Sequence, residues 1–290
     1  MISFRYHIVS ITAVFLALGL GVAFGSTVRP TSALTRSRIN ALTGDLNNAR
    51  AEIAGLRGQV QASDAIVKNL AARVTRGALA ARQVTYADDG AEGAWEGNVR
   101  GVMANATAQD AGSLVLTGNW AAGARASSDL SSIAGSAGIS TSGSTPAEAV
   151  MGAVGDRLGR PDGMQLLASL VKAGYVRTAP KTPEPWPPAG GGLIVFTSGA
   201  TTSLAAVGLA TFAIHAAATM PVLVVGAAPD DAGAVAVLRG IGGLPPHLAT
   251  FDSGSTDATG VAAVLALSAA IEGRGGNFGT APGLSYLPRT

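Results

Sequence analysis

The feature that most constrains this chain is a run of 21 residues, Ile8 to Val28, without a charged side chain. As a helix rising 1.5 Å per residue it extends about 31 Å, the thickness of a bilayer's hydrocarbon core. Its polar members, Ser10, Thr12, Ser26 and Thr27, can bond to the backbone of their own helix. A secretory signal is the competing reading, and Ala23-Phe24-Gly25 loosely supplies a small-x-small cleavage site. The run is longer than a signal's apolar region, which favours an uncleaved transmembrane anchor over residues 8–28 behind a short tail, 1–7. Arg5 precedes the run, and Arg29, Arg36 and Arg38 follow it. That count leans weakly towards a cytoplasmic C-terminus. Ala17, Gly21 and Gly25 form a small-xxx-small ladder that would let two such helices approach closely. Ordinary glycine usage in a chain with 39 glycines explains the ladder as well.

Beyond the run, apolar residues step by three and four. Ile39, Leu46, Ile53, Val60, Val67 and Val74 take heptad position a. Leu42, Ala49, Leu56 and Leu70 take position d, with Ser63 the one polar member. Five heptads of this pattern predict a coiled-coil stalk over residues 32–78. Mostly β-branched a positions with leucine-rich d positions favour two parallel strands, and hence a homodimer. Asp45 and Glu52 lie at g, Arg50 and Arg57 at the following e. Parallel pairing sets these opposite charges face to face; antiparallel pairing sets like charges together. Gly44, Gly55 and Gly58 fall at outward positions, and each weakens the helix by about 1 kcal/mol. A single amphipathic helix lying on the distal domain remains the alternative, although its apolar stripe is normally wider than a/d alone.

From residue 79 the period changes, and short apolar runs alternate with alanine-rich segments. Strands are predicted at Gln83–Ala87, Ser113–Thr117, Leu193–Thr197, Val222–Gly226 and Leu248–Phe251. Helices are predicted at Trp95–Ala106, Ser127–Gly135, Pro146–Leu158, Met164–Ala173, Ser203–Ala217, Gly233–Ile241 and Ala258–Ile271. The alternation in the last third argues for a Rossmann-like parallel α/β domain over 79–290. Uninterrupted runs such as LIVF and VLVV suit strands buried on both faces. Residues 178–192 carry five prolines between Pro180 and Pro188, and read as an extended linker or surface loop. Trp186 within it reads as an anchor for that loop, with partner contact the other option.

Composition closes off several function classes. Cysteine is absent, which excludes disulfides, thiolate metal sites and cysteine nucleophiles. The 20 basic and 18 acidic residues leave a net charge of +2, and no basic stripe marks a nucleic-acid surface. Mean hydropathy is high, +0.35. Catalytic signatures such as GxSxG, a P-loop or HExxH do not occur, no cofactor motif is evident, and the chain reads as non-enzymatic. His7, His215 and His247 follow no metal spacing, and the methionines are scattered. One cluster stands out: Asp88, Asp89, Asp230, Asp231 and Asp252 all follow predicted strands. The carboxyl ends of parallel strands border one edge of a sheet, where ligands usually bind. Converging there, the carboxylates would suit a hard cation or a cationic partner rather than soft Cu(I). Turn formation and helix capping account for the same residues without a ligand.

The opening MISFRYHIVSITAVFLALGLGVAFGS resembles the actinobacterial family named after mycobacterial copper transport protein B (MctB). The layout of anchor, stalk and α/β domain resembles it too. So does the closing stretch LATFDSGSTDATGVAAVLALSAAIEGRGGNFG, where Thr250-Phe251-Asp252-Ser253 partly matches the family's TVDN-like segment and Phe278 supplies the aromatic of its closing motif. The resemblance is good over about the first 30 and last 45 residues, and vague over 80–190. It implies a single-pass protein of the cytoplasmic membrane, its bulk outside the cytoplasm, with a role in copper efflux or homeostasis. Copper enters by this resemblance alone. A second branch of the family looks like a dimeric envelope scaffold in cell division that regulates peptidoglycan hydrolases, which implies a second envelope protein as partner.

Overall fold

A computed structural model describes residues 4–27, 29–90, 94–117, 119–120, 127–178, 186–188, 190–198, 203–227, 233–252, 257–281, 284–285 and 287–288. It divides into two compact units, residues 1–63 and 64–290.

The first unit holds α1 (Phe4–Thr27) and most of α2 (Arg29–Val74), within which the unit boundary falls. From 9 to 25 every side chain of α1 is exposed, including Val9, Phe15, Leu18, Val22 and Phe24. The anchor expected at 8–28 is not found at that length: among the described residues no helix is long and apolar enough to cross a membrane. The side chains at 8 and 26–28 lie outside the described residues, and the 17 from 9 to 25 extend only about 26 Å. Residues 32–74 of the expected stalk lie within one continuous helix that ends at Val74, which does not by itself make a coiled coil. Ile39, Leu42, Leu46, Ala49, Ile53, Leu56 and Val60 are all exposed. Gly44, Gly55 and Gly58 face open space, as their outward positions require. Val67 and Leu70, the next two apolar seam positions, have side chains outside the described residues.

The second unit is built on a seven-stranded, mostly parallel sheet. Its elements run β1 (Gln83–Asp88), α3 (Ala94–Asn105), β2 (Gln109–Leu116), α4 (Ser127–Ser136), α5 (Pro146–Asp156), α6 (Pro161–Lys172) and β3 (Val176–Thr178). They continue as β4 (Gly192–Thr197), α7 (Ser203–Ala216), β5 (Val222–Gly226), α8 (Ala234–Gly240), β6 (Leu248–Asp252), α9 (Asp257–Ile271) and β7 (Gly276–Phe278). The strand order is β3-β2-β1-β4-β5-β6-β7, and β3 alone is antiparallel to its neighbour. The order reverses between β1 and β4, the place in an open sheet where a crevice forms at the strands' carboxyl ends.

The uninterrupted apolar strands explain the layering. Alternate residues of a strand point to opposite faces. Leu193, Val195, Val222, Val224 and Leu248 join one core, packed against α4, α5, α7 and α8. Ile194, Phe196, Leu223, Val225 and Phe251 join the other, packed against α3 and α9. Glycine permits the closest helix crossings. A Cβ on Gly155 of α5 would stand 2.6 Å from the Phe212 carbonyl oxygen of α7. A Cβ on Gly260 of α9 would collide with Val102 of α3. The start of α5 is held by a reciprocal cap, in which the Glu148 amide donates to Thr145 Oγ1 and the Thr145 amide to Glu148 Oε2.

Two short edge strands, β3 and β7, escape the sequence pattern because three residues carry no period. Most of the proline-rich segment lies outside the described residues, but Trp186 is fully buried. Its amide donates to Met164 Sδ at 3.4 Å and its carbonyl accepts from the Gly159 amide at 3.1 Å. It is an anchor for the loop, as read from the sequence.

Candidate functional site

The carboxyl ends of the strands are where the acidic residues were expected to converge. Asp88 ends β1 and is nearly buried. Its Oδ1 accepts from the Gly90 amide at 2.9 Å, the tight turn that aspartate commonly makes. Gly90 has φ +78°, and a Cβ there would strike the Leu116 carbonyl of β2. Burial raises the Asp88 pKa, partly offset by the Gly90 amide and by Arg100. The adjacent Asp89 reaches across the switch point: its Oδ2 accepts from the Ser198 amide, just past β4, at 2.6 Å. This bond stitches the two strand ends together across the crevice. Thr197, the last residue of β4, accepts through Oγ1 from the Ala234 amide at 3.2 Å and so holds the start of α8.

Asp252 ends β6 and is also nearly buried. Arg239 of α8 pairs with its Oδ2, while the Thr280 amide and hydroxyl donate to its Oδ1. Arg239 also donates to the Phe278 carbonyl at 2.7 Å. Burial alone would raise the Asp252 pKa, but the bonds from Arg239 and Thr280 prevail and hold it below the usual carboxylate range. Gly279 has φ +131°, and a Cβ there would run into this carboxylate. The closing aromatic-glycine motif is thus the shell of a buried ion pair that ties β6, α8 and β7 together. Nothing in the sequence pattern singled out Arg239; its signal would have been one arginine in a short, otherwise apolar helix.

Among the described residues, the structure does not bring the expected aspartates to one point. Asp88 and Asp252 end strands separated by β4 and β5, three strand spacings or about 14 Å apart. Asp89 is engaged by Ser198 and Asp252 by Arg239. Asp230 and Asp231 lie outside the described residues. The soft donors are equally dispersed. His215 Nδ1 donates to Asp156 Oδ1 at 2.9 Å beside Gly152, in a cavity of about 380 Å³. His247 Nδ1 donates to the Ala270 carbonyl at 2.9 Å. Met103 and Met151 are buried in opposite cores. Among the described residues no three of His, Asp or Glu stand where one metal ion could take them.

On the α3 face, Arg100 lies 4.0 Å over the Tyr86 ring, which stacks on Phe196 with centroids 5.8 Å apart. Burial, with help from Asp110 and against Arg100, pushes the Tyr86 phenol up to about 12. This is a packed, charge-capped core edge.

The family model described as "Copper transport outer membrane protein, MctB" matches residues 1–288. The chain belongs to the MctB family. It is accordingly a copper-transport-related envelope protein, and the match spans the middle of the chain, where the resemblance read from sequence was vague. No curated protein matches it. Among the described residues, the donors of this MctB-family chain are too dispersed to hold one copper ion.

Proposed function

We propose that this MctB-family protein serves copper handling as a non-enzymatic, membrane-anchored envelope protein. Its α/β unit acts through its surfaces rather than by coordinating copper. One observation carries this reading: Asp89 and Asp252, two of the strand-end carboxylates, are engaged with Ser198, Arg239 and Thr280 inside the fold. The test is copper-dependent growth of a deletion strain carrying the wild-type chain or a His215→Gln chain. Both should restore growth equally. A folded variant that fails to restore it would return the role to coordination.

α1 is the proposed anchor, with the α/β unit outside the cytoplasmic membrane. Its exposed apolar residues cover every side of the helix, the pattern of a segment buried all round or set in lipid. The uncharged sequence continues to Val28. Alkaline carbonate should leave the chain in the membrane pellet, and density fractionation should place it with the cytoplasmic membrane. Extraction would overturn the anchor. Co-fractionation with the outer membrane named in the family description would overturn the choice of membrane.

The scaffold reading, in cell division, draws on the exposed apolar face of α2, which fits a partner rather than a solute. A septation defect in the deletion strain at ordinary copper, without copper sensitivity, would favour it.

A further inference from the structure

A long helix in water with one apolar stripe is stable when that stripe is covered. In α2 the stripe from Ile39 to Val60 is open, with exposures from 48% at Ile53 to 68% at Leu42. Midway along it lies a cavity of about 370 Å³ lined by Ile53, Leu56, Arg57, Val60 and Gln61. The first four occupy a, d, e and the next a of the heptad. Those are the four corners of the hole that receives a d-position knob when two coiled helices run parallel. We propose that this hole is filled by Leu56 of a second copy of the same chain, in a parallel, in-register pair.

Charge selects the occupant. Asp45, Arg50, Glu52 and Arg57 flank the stripe, and among the described residues none of the four forms an ion pair within its own chain. A parallel second copy sets Asp45 against Arg50 and Glu52 against Arg57, on both sides of the seam. An antiparallel copy sets acid against acid and base against base. The partner that satisfies all four is the same sequence in the same direction.

The inference goes beyond the proposed role and does not depend on copper or on the anchor. The chain has no cysteine, so single cysteines can be placed in the full-length protein without background. Leu42→Cys, near one end of the stripe, should form a disulfide with its own copy under mild oxidation. Gly44→Cys faces open space on the opposite side and should crosslink at least tenfold less. Adding Leu56→Asp to Leu42→Cys should cut the crosslink at least tenfold, with the near-ultraviolet circular dichroism of the α/β unit unchanged. In an antiparallel pair the two Leu42 positions stand about 40 Å apart. Crosslinking at Leu56→Cys but not at Leu42→Cys would therefore overturn the proposal in favour of antiparallel pairing. Failure at both sites would overturn self-pairing altogether. Equal crosslinking at Leu42→Cys and Gly44→Cys would reduce it to random collision.

Discussion

The same residue types have opposite fates in the two units. Leucine, isoleucine and valine in the α/β unit lie on strands and helices whose apolar faces meet, and Leu193, Ile194, Val222 and Leu223 are completely buried. In the first unit Ile39, Leu42, Ile53 and Leu56 are as apolar and lie about half open to solvent. The difference is one of geometry. A sheet with helices on both faces closes its core within one chain, whereas a lone amphipathic helix presents a stripe that its own chain does not cover. One unit buries its apolar residues within itself, and the other leaves them exposed.

The largest expected effect breaks the comparison at the sheet. Phe196 is fully buried and stacked on Tyr86. Phe196→Ala should cost about 3–5 kcal/mol, as large-to-small aromatic changes do in packed cores. Ile53→Ala removes an apolar side chain of comparable kind, yet should leave the unfolding midpoint of the α/β unit within about 0.5 kcal/mol. Denaturant titration of the full chain, followed by tryptophan fluorescence, checks both, since Trp120 and Trp186 lie in the α/β core. A matching loss from Ile53→Ala would show that the two units share one core.

Next in size is the buried ion pair. Asp252→Asn removes the charge that Arg239 faces and should destabilise the α/β unit by about 3 kcal/mol. Replacing both partners by apolar residues, as Asp252→Leu with Arg239→Met, should recover part of that loss. A double-mutant cycle measures the coupling, expected within about 1–3 kcal/mol. Gly279→Ala should cost about 2 kcal/mol by forcing a side chain into positive φ against the Asp252 carboxylate. For a unit of this size that is a melting-point drop of roughly 4–8 °C.

These residues also show what the sequence made legible. The central strands announce themselves, because LIVF and VLVV can be buried on both sides only in a covered parallel sheet. The observed Gly192–Thr197 and Val222–Gly226 lie within a residue of expectation. Helix α2 was legible from its seven-residue repeat, but a repeat does not report what covers it. Asp252 was visible as a strand-end carboxylate, while its partner lies 13 residues earlier in a different element. Only the fold brings α8, β6 and the Phe278–Thr280 turn to one point. Asp88 and Asp252 stay apart for a related reason. Sequence places residues at strand ends, but strand order decides which ends are neighbours, and β4 and β5 separate Asp88 from Asp252.

The smallest expected effect uses the opposite signs of those two carboxylates. The Asp252 pKa is lowered in the folded state. Its contribution to stability is therefore fully present above the ordinary aspartate value near 3.9 and is lost as pH falls through the lower folded value. The Asp88 pKa is raised by burial. Folding favours its protonated form, so its contribution is best below the ordinary value and declines as pH rises through the raised folded value. Asp88→Asn keeps an oxygen to accept the Gly90 amide while removing the buried charge. At pH 7 it should stabilise the α/β unit slightly, by about 0.5 kcal/mol, within the span of single-site effects. The gain should shrink towards pH 3, where the wild-type carboxyl is itself protonated. Asp252→Asn should show the reverse trend, with its large penalty at pH 7 diminishing as acid protonates the wild-type residue. Parallel denaturant titrations at pH 3, 5 and 7 resolve the two slopes. If Asp88→Asn destabilises at pH 7 by as much as Asp252→Asn, then the Asp88 charge, like that of Asp252, is held by a partner, and the two strand ends are alike after all.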